Sequence, residues 1–270
     1  MRSVYIEHLR PQEILDAQAQ RSLVYLPLGP LEWHGPAMPF GTDPMAAAET
    51  ARRAVLRTGG VVMPTLYCGT ERERSPQLLE AMGFEDTSQY IVGQDFPRNS
   101  VKSYYAREDV FSLIVREHLR LLVDHGYRLI VLVSGHGAHN QRIQLERLAV
   151  EFSRETQSQV MALLSVVPLD GNDQDSGHAT RLETSVQMAL HPDNVDLGAL
   201  PPKPVKLRSC DWGIDDGCTF QLRPNEDKTV IFDPRDATAE LGERYLQAAA
   251  DDVVRQVRER WNLLFPANPI

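Results

Sequence analysis

Short apolar runs alternate along this chain with longer amphipathic stretches, and this alternation constrains the fold more than any other feature. The clearest run, Leu129 to Val133, is aliphatic and β-branched, as in a strand that is buried on both faces. A glycine-rich turn follows it directly, and then a helical pattern over residues 141–155. Strand, turn and helix in this order form the repeating unit of a parallel sheet covered by helices. The sequence therefore predicts an α/β fold around a largely parallel sheet.

The predicted elements are spread over the whole chain. Strands are expected at residues 22–28, 60–68, 129–133 and 160–166, and helices at 45–58, 109–125, 141–155, 186–190 and 237–261. Between them, residues 70–105 combine charges, proline and scattered glycines without periodicity. Such a stretch is typical of an irregular loop that forms a binding site or an interface. No repeat or linker divides the sequence, so we predict a single domain over residues 1–270.

The composition excludes several classes of protein. Of the 270 residues, 42% are hydrophobic and 24% are charged, which is ordinary for a globular protein. The net charge of −9 leaves no broad basic face for a nucleic acid. No apolar run approaches the ~20 residues that span a bilayer, and the first residues lack an apolar signal core. The three cysteines form no CxxC pair and are expected to be free thiols. We therefore expect a cytoplasmic protein without a nucleic-acid or membrane partner.

Two glycine-framed segments place acidic and imidazole side chains at predicted strand ends. Glu32 and His34 follow the first strand and are two residues apart, so their side chains point the same way in extended backbone. Asp43 comes after a bend rich in glycine and proline, and His136 follows the strand at 129–133. Ligands of open α/β sheets bind beyond the carboxyl ends of the strands. Each residue alone is more often structural, but together they predict a site for zinc, manganese or iron.

A third segment contains His178 and Glu183 at the start of a predicted helix. Unpaired backbone N–H groups are exposed at such a start. Glu183 is explained equally well as a carboxylate that complements the helix dipole and as a member of the site. The residues by themselves leave both explanations open.

Together these segments resemble the creatininase family. The family pattern Pro-x-Gly-x-x-Glu-x-His-Gly-Pro, followed by Gly-Thr-Asp, is similar to residues 27–36 and 41–43. Residues 134–137, Ser-Gly-His-Gly, resemble its Asn-Gly-His-Gly turn. Residues 178–185 are similar to its His-Ala-Gly-x-x-Glu-Thr-Ser stretch. The matches occur in order from about residue 5 to the last predicted helix.

This resemblance implies a three-layer α/β/α sandwich with one or two divalent ions per subunit. It also implies hydrolysis of a C–N bond in a small molecule, such as a cyclic amide or a formamide, and assembly as a homo-oligomer, a hexamer in the family. Carried across by position, the expected metal ligands are Glu32, His34, Asp43 and His136, with Asp43 bridging. His178 becomes a catalytic proton-transfer residue, and Glu183 becomes a further ligand or a catalytic carboxylate.

The sequence also departs from the family pattern close to the site. Ala138 stands where creatininase itself carries a glutamate ligand, and Glu183 or His139 is the candidate replacement. The side chains expected to contact the substrate are Trp33, Arg98, His139 and Arg181. Three alternatives stay open: a formamide or cyclic-imide hydrolase, a hydrolase of an oxidised sugar acid, and a relative that binds a ligand without catalysis. The alanine at position 138 favours the last of these.

Overall fold

A computed structural model describes residues 3–81, 84–97, 99, 101–169, 173, 175, 177–205, 207–210, 213–215 and 232–270. The α-helices in these residues are α1 (Pro11–Gln20), α2 (Thr42–Thr58), α3 (Pro76–Ala81), α4 (Glu108–Asp124), α5 (His139–Glu155), α6 (Arg181–Leu190) and α7 (Ala239–Leu264). The strands are β1 (Leu23–Leu28), β2 (Val61–Val62), β3 (Leu129–Ser134), β4 (Gln159–Leu164), β5 (Arg208–Cys210) and β6 (Gly213–Asp215). Short 3-10 turns lie at Ile6–His8, Pro192–Asn194, Leu197–Ala199 and Pro234–Asp236.

The main sheet is parallel, with the strands in the order β2-β1-β3-β4. Every residue of the two central strands, β1 and β3, is buried, as expected for strands covered on both faces. Leu28 at the end of β1 pairs with Ser134 at the end of β3. The segments that follow these two strands therefore begin side by side at one edge of the sheet. β5 and β6 form a separate antiparallel pair.

Helices cover both faces of the sheet. On one face, α4 and α5 pack against side chains such as Val24, Leu26 and Ile130. α4 buries Phe111, Val115, Leu119 and Leu122, whose spacing forms one apolar stripe along the helix. On the other face, α2 and α7 pack against the alternate side chains of the same strands. The predicted three-layer α/β/α sandwich around a parallel sheet is confirmed.

A close approach of two backbones fixes the end of β3 against the start of α2. A Cβ atom at Gly135 would lie only 1.9 Å from the backbone oxygen of Asp43, which leaves no space for a side chain. Because Asp43 is in the first turn of α2, this contact holds the turn after β3 directly against that helix. α2 begins three residues before the predicted start at residue 45, so Asp43 is helical rather than part of the preceding bend.

The predicted strand at residues 60–68 is much shorter in the structure. Regular pairing covers only Val61–Val62, although Met63 and Leu66 still donate backbone hydrogen bonds to β1. In a regular parallel ladder residue 65 would donate the next bond, to Pro27, but Leu66 donates it instead, so one extra residue ends the regular pairing. α1 and the β5–β6 pair were not predicted from the sequence.

Residues 70–105 are largely irregular where they are described, with only the short helix α3 and an antiparallel bridge between Glu73 and Val92. A small apolar cluster of Leu79, Phe84, Ile91 and Phe96 anchors this excursion.

Among the helices of the described residues, none combines the length and the apolarity required to cross a membrane.

Candidate metal centre

Four of the predicted ligand residues come together at the carboxyl edge of the sheet. Glu32 and His34 lie in the loop after β1, Asp43 lies in the first turn of α2, and His136 lies just after β3. All four side chains are buried, with exposed fractions between 1% and 6%. Buried carboxylates and imidazoles at such density are stable only when they neutralise one another or bind a cation.

Asp43 is at the centre of this cluster and presents its two carboxylate oxygens in different directions. Oδ1 lies 3.2 Å from His34 Nε2, and Oδ2 lies 3.0 Å from His136 Nδ1. Two triads of closely spaced donor atoms therefore share this carboxylate. Glu32, Asp43 and His136 form one triad, and His34, Asp43 and Glu183 form the other; within each, the donor atoms lie within 4.8 Å of one another.

Buried atoms without hydrogen-bond partners support a fit to metal ions. Among the described residues, Glu32 Oε2 and His34 Nε2 form no hydrogen bond of good geometry, although Glu32 Oε2 lies 3.0 Å from His136 Nδ1 and 4.0 Å from His34 Nε2. His34 Nδ1 lies 3.0 Å from the backbone oxygen of Glu32. Because a carbonyl only accepts, Nδ1 carries a proton, and Nε2, on the side of Asp43, is the nitrogen available to a metal ion once its own proton is displaced. A hydrogen bond such as the one from Nδ1 to the carbonyl of Glu32 is the usual way in which a metal-binding histidine is oriented.

The electrostatics of the cluster favour bound positive charge. Burial alone would lower the pKa of His34, but the surrounding carboxylates, Asp43 first, raise it to about 10. Glu32 and Asp43 likewise hold the pKa of His136 well above its usual value despite burial. Burial raises the pKa of Glu183 to about 7. Without metal, protons on the imidazoles balance the carboxylates, and a divalent ion can replace those protons.

His178 lies beside this cluster and is held in one tautomer. Its Nε2 donates a hydrogen bond to the backbone oxygen of Trp33 over 2.5 Å, so Nδ1 carries the lone pair. Nδ1 is 3.8 Å from Glu32 Oε2, and the ring centroid is 4.2 Å from that of His34. Burial and then the neighbouring His34 lower the pKa of His178 to about 3. This imidazole is therefore neutral.

Glu183 reaches the cluster from the first turn of α6. One of its oxygens, Oε2, accepts a hydrogen bond from the backbone N–H of Ala179 and lies 3.7 Å from His34 Nε2. Ala179 has a φ of 53°, which is unusual for a residue other than glycine. That conformation turns its N–H group back toward Glu183. Glu183 therefore contacts a backbone N–H group next to the start of α6 and also lies beside His34, so both explanations from the sequence describe part of its position.

Sequence reasoning did not identify Tyr105. Its Oη donates a hydrogen bond of 2.5 Å to Glu32 Oε1 and accepts one from the backbone N–H of Gln94. Tyr105 ends the irregular excursion after β2, so no periodicity or local motif connects it to Glu32, 73 residues away in the chain. Only the tertiary structure shows this contact.

Small-molecule sites usually occupy cavities of about 300–1,000 Å³, and a cavity of about 630 Å³ opens above the cluster. Its lining consists of Glu32, Asp43, Glu71, Arg72, Glu73, Arg74, Ser75, Leu78, Gln94, His136, Gly137, Ala138, His139, Arg142, His178 and Glu183. Of the four residues predicted to contact a substrate, His139 lines this cavity and Arg98 lies outside the described residues. Trp33 and Arg181 are not part of the lining. The guanidinium of Arg181 instead pairs with the buried Asp175, with Nε 3.2 Å from Oδ2.

Comparison with known proteins identifies relatives of this chain. A family model for creatininase, described as creatinine amidohydrolase, matches residues 7–257. The mycofactocin precursor peptide peptidase of Mycobacterium tuberculosis is 28% identical over 249 residues, which cover 88% of this chain and 85% of that protein. The creatinine amidohydrolase of Pseudomonas putida is 24% identical over 257 residues, covering 88% and 90%. A 2-amino-5-formylamino-6-ribosylaminopyrimidin-4(3H)-one 5'-monophosphate deformylase of Methanothermobacter marburgensis is 26% identical over 245 residues, covering 87% and 88%.

Solved structures show the same fold. A mutant creatininase superposes with a TM-score of 0.69 at 23% identity, covering 96% of this chain and 99% of that one. A second creatininase mutant, described as a Zn-Zn type, has a TM-score of 0.68 at 22% identity with the same coverage. A structure described as creatininase Mn has a TM-score of 0.66 at 22% identity, again with that coverage. The fold expected from the sequence motifs is confirmed.

Proposed function

The chain belongs to the creatininase family, and we propose on that premise that it hydrolyses a C–N bond of a small molecule at the buried carboxylate–imidazole cluster. Its named relatives act on an amide, a peptide and a formylamino group, and all of these reactions break C–N bonds. One observation carries the proposal for this chain. Asp43 divides its two oxygens between two donor triads, and both triads contain buried donor atoms without hydrogen-bond partners.

The proposed ligands follow these triads. Glu32, Asp43 and His136 would hold one divalent ion, and His34, Asp43 and Glu183 would hold a second, with Asp43 common to both sets of ligands. α5 carries no acidic side chain in its first turn, because Ala138 occupies the position of the creatininase glutamate. Glu183, which reaches His34 from α6, supplies the third donor instead. Zinc, manganese and iron all accept such mixed nitrogen and oxygen donors.

A divalent ion at this cluster supplies a Lewis acid for the scissile carbonyl and lowers the pKa of water from 15.7 towards about 7. The side chains around it position and move protons. His178 is neutral and presents the lone pair of Nδ1 on the side of Glu32, so Nδ1 accepts a proton from the attacking water and returns it to the leaving nitrogen. The hydrogen bond to the carbonyl of Trp33 keeps the imidazole oriented for both transfers. Tyr105 holds one oxygen of Glu32 in place and leaves the other for metal binding.

The alternative of a relative that only binds ligand rests on Ala138. The position of Glu183 weakens that alternative, because a third donor is present beside His34 and Asp43 without any residue from α5. No described contact favours an oxidised sugar acid over an amide. We therefore retain the amidohydrolase as the proposed function, with a formamide or a cyclic amide as its substrate.

The proposal also includes assembly as a homo-oligomer and a location in the cytoplasm. Exposed apolar side chains on α4 and α5, including Leu113, Leu121 and Val150, support a homo-oligomer in which these helices are partly covered. The buried free thiol of Cys68 is in keeping with the cytoplasm.

The metal content of each subunit tests the proposed function. Protein purified without chelators is expected to contain one or two equivalents of zinc, manganese or iron, and His136→Ala is expected to reduce that number. Wild-type protein that holds less than about a tenth of an equivalent, even after incubation with zinc and manganese, would identify a non-catalytic relative instead.

A further inference from the structure

Three arginines line the cavity above the metal cluster. We propose that this arginine rim, defined as Arg72, Arg74 and Arg142, binds an anionic group of the substrate, either a carboxylate or a phosphate. The inference rests on the proposed function, because it assumes that the cavity is where the C–N bond is hydrolysed. It adds that the substrate carries a negative charge at a distance from the scissile bond.

Arg72 and Arg74 are held in an ordered segment rather than a free loop. The backbone of Arg72 accepts a hydrogen bond from Gly93 N–H, and Arg74 N–H donates one to Ile91. The two arginines lie on either side of Glu73, which forms an antiparallel bridge to Val92, and both line the cavity. Arg74 Nε also donates to the carbonyl of Gly93 over 2.7 Å. That bond orients the guanidinium, and within the described residues both of its Nη groups have no hydrogen-bond partner.

The charges of the rim are poorly neutralised by the protein itself. No carboxylate of the described residues lies within 4.0 Å of the guanidinium of Arg72 or Arg74, and the nearest one to Arg142 is Glu146 at 3.9 Å. On the outer helices, by contrast, Arg53 binds both oxygens of Glu243 through two nitrogens. A guanidinium with free N–H groups in a cavity is suited to bind both oxygens of a carboxylate or a phosphate.

Two glutamates line the same cavity and limit which anions fit. Glu71 Oε1 accepts a hydrogen bond from the backbone N–H of Arg72, and Glu73 alternates with the arginines along the extended segment. Neither forms an ion pair with a rim arginine among the described residues. They keep the wall from being uniformly positive, so binding depends on directed hydrogen bonds to a single anionic group rather than on a general attraction for polyanions.

The start of α5 adds a second positive feature to the same wall. Ala138 and His139 line the cavity, and α5 begins at His139 without a side chain that caps its N–H groups. The positive end of this 17-residue helix therefore faces the cavity beside Arg142, which lies in its first turn. The arginines and the helix end thus both favour an anion on this wall, while the metal cluster forms the other part of the lining.

Matched pairs of substrates test the proposal. Metal-loaded enzyme is assayed with N-formylglycine and N-formylglycinamide, and with hydantoin-5-acetate and its amide, so that each pair differs only in one negative charge. We expect wild-type kcat/KM to favour the anionic member by about 10- to 100-fold, since a charge-assisted hydrogen bond contributes this much. Arg72→Gln combined with Arg142→Gln leaves only Arg74 of the rim and is expected to reduce kcat/KM for the anionic member much more than for the neutral member, mainly through KM. Arg154→Gln, at the exposed other end of α5, is the matched control.

The outcomes separate this inference from the proposed function. Equal turnover of both members of each pair by the wild type would overturn the proposed role of the arginine rim and would leave the proposed hydrolase function standing. If neither pair is hydrolysed, the hydrolase loses support, and the rim is judged by calorimetry with inorganic phosphate on the same metal-loaded variants. A Kd for phosphate that rises about tenfold or more in the double variant supports the rim, and a Kd that is unchanged overturns it.

Discussion

Tyr105 Oη donates a hydrogen bond of 2.5 Å to Glu32 Oε1, while the other oxygen of that carboxylate, Oε2, lies 3.0 Å from His136 Nδ1. The tyrosine thus fixes the rotation of the glutamate and leaves one oxygen directed into the cluster. Partners of this kind orient ligand side chains and strengthen metal binding.

Replacement of Tyr105 by phenylalanine removes this donor without changing the shape of the ring. Because Glu32 Oε1 then has no partner, we expect metal affinity to fall by about 10- to 100-fold and the free energy of unfolding of the metal-free protein to fall by about 1–3 kcal/mol. Competition with a chromophoric chelator measures the affinity. Tyr104→Phe, at the neighbouring exposed tyrosine, is the control. Equal affinity in the two variants would show that Tyr105 does not position Glu32.

The shared carboxylate makes a prediction about metal stoichiometry. Asp43→Asn is expected to abolish tight binding at both triads, whereas Glu183→Gln is expected to weaken only the triad that contains His34. Metal analysis of each purified variant, beside the exposed Asp16→Asn as a control, measures this difference. If Asp43→Asn retained one full equivalent, Asp43 would not bridge two ions.

His178 is expected to act in proton transfer and not in metal binding. His178→Asn should lower kcat by about 10²- to 10⁴-fold, the usual contribution of a general acid–base residue, and should leave metal content unchanged. Steady-state kinetics and metal analysis on the same preparation check both points. His191→Gln, which changes an exposed histidine, should have wild-type kcat. Loss of metal from the His178 variant would assign this residue to the ligands.

The metal-free protein is expected to lose stability as the pH rises. His34 holds its proton in the folded state up to about pH 10, whereas an unfolded histidine titrates near 6.5. Between these values the folded state binds more protons than the unfolded state, so the stabilisation is complete below about pH 6.5 and is lost towards pH 10. Glu183, with a pKa raised to about 7, acts in the same direction at lower pH.

Tm measured with EDTA between about pH 6 and pH 10 should therefore decline, and the decline should be shallower in His34→Asn. Zinc should restore more stability at high pH than at low pH, because it competes with these protons. A Tm that stays constant or rises in EDTA over this range would contradict the protonated state of His34.

The central strands and three of the four proposed ligands illustrate what could be predicted locally. β1 and β3 are short, almost entirely apolar and followed by glycine, so the local sequence predicts both their burial and the position of Glu32, His34 and His136 after them. The position of Asp43 could be predicted only from the motif as a whole, because its place beside both histidines depends on where α2 begins. Strand β2 was predicted too long because the change of register between Met63 and Leu66 leaves no trace in the hydrophobic pattern.

The remaining part of the site depends on long-range packing. Tyr105 and Arg72 lie in the irregular excursion, where no periodicity relates sequence to direction, and their positions follow from contacts with residues far away in the chain. Glu183 was ambiguous from sequence because a first-turn carboxylate has two equally good explanations. Its distance of 3.7 Å from His34 Nε2, which local sequence cannot give, is the observation that supports its proposed place among the metal ligands.

The contact between Gly135 and the backbone of Asp43 has a consequence for how this enzyme can diversify. Any side chain at position 135 would push apart the two segments that carry Asp43 and His136, so the spacing of the donor atoms is set by main chain and cannot be adjusted gradually. Variation is far cheaper on the wall that carries Arg72 and Arg142, whose side chains are exposed and form no ion pair with Glu32, Asp43 or Glu183. Libraries that aim at new substrates should therefore randomise that wall and leave position 135 unchanged, since chemistry and selectivity reside on separately mutable parts of the cavity.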